Sequence, residues 1–433
     1  MVLMKYSDDL EIYSGKLPLA IEEALSELRQ FLKGDEISVL KYSDSIIVIP
    51  LEVDVNLPSK GTSEGIDIRS SEPILVSFNI KNYPTTSPRI KSDRKDFPSD
   101  KLSHLYAVTK GLPPTLCLVR ENLDEWFANR RISDLIFVAR QWLSKASNGL
   151  LSEDADEFEP VRLEGYRGYS IYPYNKFVEV VKSNSRYTNE IPFAYILFST
   201  KSKNSRNPAF KRFNVNVTNQ IFPKVYKIIA EFNIESIEGK KHPNNIEYPL
   251  IGMIVWSKKE VEIGSYSTAL PKTFDELEIF ANTYSISIKE PLDKYLSDKL
   301  FINNLTIYIP IVLAISRPKK LIGFESNVEF LHFVININEG DLVDNKLNPN
   351  TEVFFQSHRE PISSNLAQKL SVSTNQEKTV FIGAGALGSK LLFHYARSGN
   401  FNLKAIDNDS FSPHNIVRHA LFMESSGQNK AKA

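Results

Sequence analysis

The first third of the chain combines an amphipathic helical pattern with short apolar runs. Apolar side chains recur every three or four positions across residues 17–32, which predicts a helix. Three apolar runs then predict a meander of strands. The runs span residues 37–42, 45–53 and 74–80. A second helical pattern predicts a helix that Ser133 caps and that ends near Ala146. These elements predict an α+β domain over residues 1–163.

The middle of the chain, residues 164–374, is predicted to be a mixed α+β linking domain. Short apolar runs separated by polar turns predict its strands. The runs span residues 193–198, 251–255, 305–315 and 330–337. Helical patterns at residues 221–232 and 274–283 predict its helices. The polar stretch 357–374 is predicted to connect this domain to the next one.

The last segment, residues 375–433, contains a strand, a turn, a helix and a second strand in direct succession. Residues 378–382 predict a short buried strand, and residues 386–398 predict a helix. Residues 402–406 predict the second strand. The order predicts the N-terminal part of an α/β Rossmann-like domain.

A glycine-rich turn joins the first of these strands to the helix. Gly383, Gly385 and Gly388 let the backbone turn sharply and approach a phosphate, while the helix N-terminus offers free N–H groups. Asp407, at the tip of the second strand, is placed to accept hydrogen bonds from a ribose. A nicotinamide-dependent oxidoreductase fits these four residues equally well.

The residues after the second strand favour a different nucleotide site. Three spaced pairs of polar residues follow one another there. They are Asp407 with Asp409, Asn415 with Arg418, and Gly427 with Lys430. The pattern resembles the ThiF-like adenylation domain that ubiquitin-activating enzymes share with the sulfur-carrier activators of thiamine and molybdopterin synthesis. Without that resemblance, a plain α/β unit with surface charges is the alternative.

The resemblance implies a site for ATP and Mg²⁺. It implies that Asp407 holds the ribose, and that Asn415, Arg418 and Lys430 contact the phosphates. Fixed Arg and Lys donors suit a reaction in which charge develops toward pyrophosphate, so Arg418 is also a candidate catalytic residue. The family's domain continues well beyond Lys430, so we expect this chain to carry an incomplete magnesium site. We also expect that it does not form an acyl-adenylate by itself.

Composition narrows the functional classes. The 433 residues include 52 basic and 52 acidic side chains, so no net charge attracts nucleic acid or an anionic membrane. No signal-peptide pattern precedes the first helix, and the apolar run at residues 305–315 is too short to span a bilayer. A single cysteine excludes an intrachain disulfide and fits a reducing cytosol. We expect a cytoplasmic protein that binds neither nucleic acid nor membrane.

That single cysteine, Cys117, lies in an apolar extended segment. A helix, a strand meander and the Tyr83-Pro84 pair precede it, and a helix follows it. This order resembles a ubiquitin-conjugating-enzyme domain. The resemblance implies that Cys117 carries a ubiquitin-like protein as a thioester before its transfer to an amine, a role that suits a nucleophilic thiol. A buried structural cysteine is the alternative.

One departure concerns the group that assists the transfer. Common conjugating enzymes carry a His-Pro-Asn tripeptide shortly before the cysteine, and residues 104–115 lack it. His104 is a candidate to assist the transfer or is simply a loop residue, and we favour the loop residue. The tripeptide at residues 242–244 follows Cys117 by 125 positions (242 − 117), and we expect it to be unrelated.

Together the two resemblances indicate a bacterial fusion of a conjugating-enzyme-like domain with an activating-enzyme-like domain, of the kind found in antiphage operons of the CBASS type. They imply that a ubiquitin-like carrier, or an effector such as a nucleotidyltransferase, is activated at its C-terminus and passed through Cys117 to a target amine. They also imply a homodimer formed through the adenylation domain. The alternatives are an interaction scaffold without catalysis and the oxidoreductase already named.

Overall fold

The computed structural model describes most of the chain. The described residues are 4–31, 37–63, 65–151, 156–185, 192–200, 225–233, 250–258, 261–297, 307–338, 340–344, 346–371 and 378–432. The chain divides into two compact units, Met1–Arg359 and Glu360–Ala433. The boundaries that the sequence predicts at residues 163 and 374 stay predictions. Within the described residues, no helix combines the length and the apolar character needed to cross a membrane.

The N-terminal part of the first unit is an antiparallel sheet with helices against one face. Its strands are β1 (Glu11–Ile12), β2 (Leu40–Lys41), β3 (Ile46–Asp54), β4 (Ser71–Asn79), β5 (Arg89–Ser92), β6 (Leu105–Thr109) and β7 (Thr115–Leu116). Its helices are α1 (Leu19–Phe31), α2 (Leu123–Phe127) and α3 (Ile132–Ser147). The strand order is β1-β2-β3-β4-β5-β7-β6. The predicted helix, meander and later helix are therefore confirmed.

The core of this part follows from alternation along the strands. Ile74, Val76 and Phe78 of β4 point to one face, where they share a buried cluster with Leu28 of α1 and Leu135 of α3. Leu75 points to the opposite face, where it packs in a smaller apolar cluster with Leu40 and Val48. Both faces of this strand are therefore shielded from water.

The start of α3 differs from its prediction. The helix begins at Ile132, and Arg131 occupies the N-cap position instead of Ser133. The Asp134 carboxylate accepts the backbone N–H of Arg131 (2.9 Å). Ser133 lies inside the first turn, and its free N–H donates to Glu27 of α1 (3.1 Å). A side chain of α1 thus accepts an N–H group at the start of α3, where the sequence predicted a cap by Ser133 itself.

The rest of the first unit adds eleven strands and three helices to the described chain. They are β8 (Arg162–Leu163), β9 (Tyr169–Ile171), α4 (Tyr174–Ser185), β10 (Phe193–Thr200), β11 (Val225–Asn233), β12 (Leu250–Trp256), β13 (Ala269–Leu270), α5 (Phe274–Thr283), α6 (Lys289–Ser297), β14 (Ile307–Ser316), β15 (Val328–Ile337), β16 (Leu342–Val343), β17 (Lys346–Leu347) and β18 (Glu352–Arg359). Strands β8 and β13 each pair in parallel with β6, so they extend the N-terminal sheet. Seven others close into a ring in the order β10-β11-β9-β18-β15-β14-β12.

Alternating residues of this ring serve two apolar clusters. Along β14, Ile309, Ile311 and Leu313 belong to the cluster that includes α5 and α6. Tyr308 and Val312 belong to the cluster that includes α4. The period of two explains why these strands read as nearly continuous apolar runs in the sequence, because helices cover both sides of the sheet.

One prediction for the middle region is wrong. The helix predicted at residues 221–232 is the strand β11 from Val225 onward, and residues 221–224 lie outside the described residues. Pairing with β10 and β9 decides its conformation, because tertiary contacts override a weak helical pattern. The polar stretch 357–374 does contain the boundary between the two units, at Arg359 and Glu360, which agrees with its predicted role as a connection. It contains the end of β18 and a short helix, Ser364–Leu370, which we call α7.

The second unit contains α7, β19 (Thr379–Ile382), α8 (Ala386–Arg397) and β20 (Leu403–Ile406). Strands β19 and β20 pair in parallel, so the predicted strand, turn, helix and strand are confirmed as elements. The prediction that the first strand is buried is wrong, since Ile382 is 85% exposed. The cause is the size of the sheet, because two strands and one helix shield little surface.

Candidate functional site

Strand pairing brings Cys117 beside a residue thirteen positions earlier. Cys117 directly follows β7, and its backbone N–H donates to the carbonyl of His104 (2.9 Å), which directly precedes β6. The antiparallel pairing of β6 with β7 therefore continues into the site. The Cys117 thiol is buried and donates to the carbonyl of Val119 at 3.6 Å. The backbone on both sides thus fixes the position of the sulfur.

A second pairing brings in a carboxylate from much later in the chain. Strand β8 pairs with β6 so that Arg162 lies opposite Tyr106. Glu159, three residues before Arg162, thereby reaches His104, and its Oε2 lies 2.6 Å from His104 Nδ1. One ligand-type atom of each of Cys117, His104 and Glu159 lies within 4.8 Å of the others. The three side chains form what we call the Cys-His-Glu cluster.

Further contacts hold the carboxylate in place. Arg162 Nε lies 2.9 Å from Glu159 Oε1, so both carboxylate oxygens are bound. The Tyr266 hydroxyl donates to the backbone carbonyl of Glu159 (3.0 Å). His104 itself has a positive φ of 58°, which is uncommon for a residue other than glycine. The position of the imidazole is therefore fixed by the backbone of His104 and by Glu159, which Arg162 and Tyr266 hold in place.

The electrostatics of the cluster favour a charged imidazole next to the sulfur. Hydrogen bonds with Cys117 and then with Glu159 raise the pKa of His104 to about 9. Burial opposes ionisation of Glu159, but its contacts with His104 and Arg162 outweigh burial and lower the pKa of this carboxyl group. Near neutral pH the cluster therefore places an imidazolium, bound to a carboxylate, beside the only thiol of the chain.

A cleft opens on the cluster. It has a volume of about 600 Å³, and His104 and Glu159 are among the residues that line it. Other lining residues include Arg120, Tyr266 and Lys319. Although Cys117 is buried, its histidine and carboxylate neighbours therefore face a space that can admit another molecule.

The cluster corrects one prediction and adds one residue. The prediction that His104 is only a loop residue is wrong, because its imidazole contacts the cysteine and Glu159. Sequence reasoning missed Glu159, which lies 42 positions after Cys117 (159 − 117) and shares no motif with it. The tripeptide at residues 242–244 lies outside the described residues.

The predicted nucleotide residues lie in the second unit. The backbone of the glycine turn requires glycine at two of its three glycine positions. Gly383 has a φ of 93°, a conformation that side chains rarely allow. A Cβ atom on Gly388 would lie 1.9 Å from the carbonyl oxygen of Gly383, so only glycine fits there. Gly385 is the N-cap of α8 and has open space around it. The turn fits a phosphate because its backbone is bare where the helix begins.

Asp407 fastens this turn to the second strand. Its Oδ2 accepts the N–H of Ala384 (2.6 Å), and its Oδ1 accepts the N–H of Asp409 (2.8 Å). These two hydrogen bonds, the one from Asp409 foremost, lower the pKa of Asp407. The structure thus shows a role in shaping the turn, and the contact with a ribose stays a prediction.

The three residues predicted to contact phosphates occupy different settings. Asn415 Oδ1 accepts the N–H of Ser412 (2.9 Å) at the start of a short helix, Pro413–Val417. Lys430 Nζ lies 3.0 Å from Asp409 Oδ2, next to Asp407. Arg418 is exposed. The structure brings Lys430 to the tip of the second strand, while phosphate binding by all three stays a prediction.

Comparison with protein families agrees with this division of sites. Residues 33–178 match the model of Prokaryotic E2 family A. Residues 360–433 match the model of the ThiF family. The chain is a fusion of an E2-like and a ThiF-like region. No curated protein matches it.

The E2-like region contains the whole Cys-His-Glu cluster as well as Arg162. The ThiF-like region contains the glycine turn, Asp407, Asn415, Arg418 and Lys430. Both are regions of the kinds found in ubiquitin-like conjugation machinery. The ThiF match favours the resemblance to a ThiF-like domain over the nicotinamide-dependent oxidoreductase.

Proposed function

We propose that the E2-like region accepts a ubiquitin-like carrier on Cys117 as a thioester and transfers it to a target amine. The observation that supports this most directly is the Cys-His-Glu cluster beside an open cleft. A structural cysteine needs neither an ion-paired histidine nor a cleft, whereas an acyl-transfer nucleophile needs a group that transfers protons and room for its substrate.

The first step is exchange of one thioester for another. The Cys117 sulfur attacks the carbonyl carbon of the carrier's C-terminal thioester, a new C–S bond forms, and the old C–S bond breaks. In net terms, the proton of the Cys117 thiol leaves with the departing thiol. His104, as an imidazolium, donates one ring proton to the departing sulfur and takes the proton of the Cys117 thiol in exchange.

The second step is transfer to an amine. The amine nitrogen attacks the thioester carbon, so that a C–N bond forms and the C–S bond to Cys117 breaks. The proton of the amine passes to the departing sulfur. In this proposal His104 relays the proton, Glu159 orients the imidazole, and Arg162 holds Glu159. This division of roles takes the place of the His-Pro-Asn tripeptide that residues 104–115 lack.

The ThiF-like region is proposed to serve the preceding step, activation of the carrier's C-terminus. ATP with Mg²⁺ would supply adenylation of that carboxylate. The glycine turn and Asp407 would position the nucleotide, and Asn415, Arg418 and Lys430 would contact its phosphates. What supports this assignment is the ThiF match together with the bare backbone at Gly383 and Gly388.

The biological setting remains part of the proposal. A cytoplasmic role in bacterial antiviral defence, a nucleotidyltransferase as the carried protein, and a homodimer through the ThiF-like region all come from the family resemblance. They extend the conjugation chemistry and are not needed for it.

Direct loading of Cys117 tests the E2-like step without the ATP-dependent step. Candidate carrier proteins, prepared as C-terminal thioesters with a small thiol, are mixed with the full chain and analysed on gels with and without reducing agent. We expect an adduct that reducing agent cleaves. Cys117→Ala abolishes it, whereas Cys117→Ser gives an oxygen ester that resists reducing agent.

The histidine and carboxylate are tested by discharge of the loaded chain to an added amine. We expect His104→Ala to slow discharge on the order of a hundredfold, and Glu159→Gln to slow it less. Glu157→Gln is the matched control, because Glu157 lines the same cleft but is not part of the cluster. Loading of the Cys117→Ala variant at the same rate would refute the proposed role of Cys117.

A further inference from the structure

The Cys-His-Glu cluster combines three different ligand types at one point. Cys117 offers sulfur, His104 offers an imidazole nitrogen, and Glu159 offers a carboxylate oxygen, all within 4.8 Å of one another. Within the described part of the chain, no other set of three such side chains converges in this way. The residues come from the chain on both sides of β6 and β7 and from the approach to β8, so strand pairing fixes their relative positions.

This donor set is typical of zinc. Zn²⁺ is bound by Cys sulfur, His nitrogen and Asp or Glu oxygen, and sites with three protein ligands keep a fourth position for water. His104 and Glu159 line the cleft, from which water can reach that position. We propose that the cluster is also a binding site for a soft divalent cation such as Zn²⁺, and that the bound ion blocks thioester formation. The block rests on the proposed function of Cys117, whereas the metal site itself does not.

The geometry needs only small adjustments to hold the ion. Zinc lies at about 2.3 Å from sulfur and about 2.0–2.2 Å from nitrogen and oxygen, which puts tetrahedral ligand atoms roughly 3.3–3.7 Å apart. The cluster's upper separation of 4.8 Å is slightly larger, and its His104–Glu159 distance of 2.6 Å is shorter. Binding of the ion therefore requires the His104 and Glu159 atoms to move apart and the widest pair of the cluster to move closer together.

An outer layer of contacts supports such a site. Arg162 Nε holds Glu159 Oε1 and leaves Oε2 for the metal. The carbonyl of His104 holds the backbone of Cys117. Partners of this kind orient metal ligands and strengthen binding.

Metal binding is an exchange of cations without any redox change. The ion displaces the proton of the Cys117 thiol and the proton that the His104 imidazole shares with Glu159. Both protons pass to water, and Zn–S, Zn–N and Zn–O bonds form. The ion then occupies the sulfur lone pair that would attack a thioester, so metal binding and loading exclude each other.

Cobalt is the probe for the site, because the full chain has a single cysteine. Any sulfur-to-cobalt charge-transfer band on titration with Co²⁺ therefore reports Cys117 alone. We expect the band to appear in the wild type, to saturate at one ion per chain and to disappear when Zn²⁺ is added. His104→Ala and Glu159→Gln should each weaken binding by at least about tenfold, the lower end of the effect of losing an outer-layer partner.

The controls separate this site from other binding and from the proposed function. Glu157→Gln should bind Co²⁺ like the wild type, and Cys117→Ser should lose the band while keeping the wild-type thermal melting curve. Zn²⁺ should slow alkylation of Cys117 by iodoacetamide at least tenfold, and a chelator should restore the rate. These readouts need no carrier protein, so they can fail or succeed independently of thioester loading. Absence of the band, or a band that neither His104→Ala nor Glu159→Gln weakens, would overturn the proposed site.

Discussion

At the scale of single residues, a fully buried arginine holds the start of β4, a central strand of the N-terminal sheet. The Arg94 guanidinium is completely buried and donates to both carboxylate oxygens of Glu72 at 3.1 Å. It also pairs with Asp67 and with Asp96 (3.0 Å). A buried charge is tolerated only when it is paired and hydrogen-bonded, so one side chain ties together β4 and two loops.

This arrangement predicts a large cost for removing the arginine. Arg94→Met leaves Glu72 buried without a cation, and we expect the free energy of unfolding to fall by about 3–5 kcal/mol. Arg69→Met is the matched control, because Arg69 makes an exposed pair with Asp96, and such pairs contribute about 1 kcal/mol or less. Urea unfolding followed by circular dichroism measures both, and equal losses would contradict the role of Arg94.

The free energy of unfolding that Arg94→Met removes should also depend on pH. Burial raises the pKa of Glu72 to about 7 in the intact protein, above the usual value of a glutamate. Without Arg94, Glu72 of the folded variant keeps a proton that the unfolded chain releases. The free energy of unfolding of the variant therefore falls as the pH rises from the usual pKa of a glutamate through about 7. The difference between variant and wild type should therefore be smaller at pH 5 than at pH 8.

The sequence identifies some site residues and misses others for a physical reason. Cys117 and the glycine turn were predictable, because a lone cysteine and closely spaced glycines can be recognised from a short stretch of sequence. Glu159 was not, because its place depends on a two-residue parallel pairing between β8 and β6, which leaves no periodic pattern. The contact of His104 with Cys117 was not predictable for the same reason, since it depends on the backbone pairing of these two residues.

At the scale of elements, one carboxylate of α1 joins this helix to the start of α3. Glu27 of α1 accepts both the backbone N–H (3.1 Å) and the hydroxyl (2.6 Å) of Ser133 in the first turn of α3. The first N–H groups of a helix lack intrahelical partners, and the positive end of the helix dipole favours a carboxylate. A residue 106 positions away thus satisfies the helix start.

We expect Glu27→Ala to lower the free energy of unfolding by about 1.5–3 kcal/mol, because hydrogen bonds to a charged group are lost. Ser133→Ala should cost less, since its backbone N–H keeps Glu27 as a partner. Glu23→Ala, an exposed position on the same helix, is the control. Urea titrations of the three variants provide the comparison. If the Glu27 and Glu23 variants are equally stable, the carboxylate does not join the helices.

The elements of the ring show where sequence patterns succeed. The runs that became β12, β14 and β15 were predictable, because strands covered on both sides are apolar throughout. Strand β11 was not, because its apolar residues fit a helical spacing as well, and only neighbouring strands select the extended form.

At the scale of the whole molecule, the two units differ in how they shield apolar side chains. The first unit contains four buried clusters, which draw on its sheets and helices alike. In the described part of the second unit, the buried apolar residues are Ala367, Ala384 and Phe411. Larger side chains there are exposed, Leu387 at 71% and Val417 at 84% among them. The burial of apolar area is the main stabilising contribution to folding. The second unit buries few apolar side chains, so this contribution is small there.

We therefore expect the second unit to open far more often than the first. A two-stranded sheet is marginally stable at best, and opening free energies within one protein range from near zero to the global value. Hydrogen exchange of the full chain, followed by mass spectrometry, should show protection in β19 and β20 lower than in β14 and β15 by on the order of a hundredfold or more. Equal protection in both units without ligand would show that the exposed apolar side chains of the second unit do not weaken it.

A ligand that binds only the folded form stabilises it by about 2.7 kcal/mol at a hundred times its dissociation constant. If the glycine turn binds ATP, ATP with Mg²⁺ should therefore slow hydrogen exchange in β19 and β20 and leave exchange in β14 unchanged.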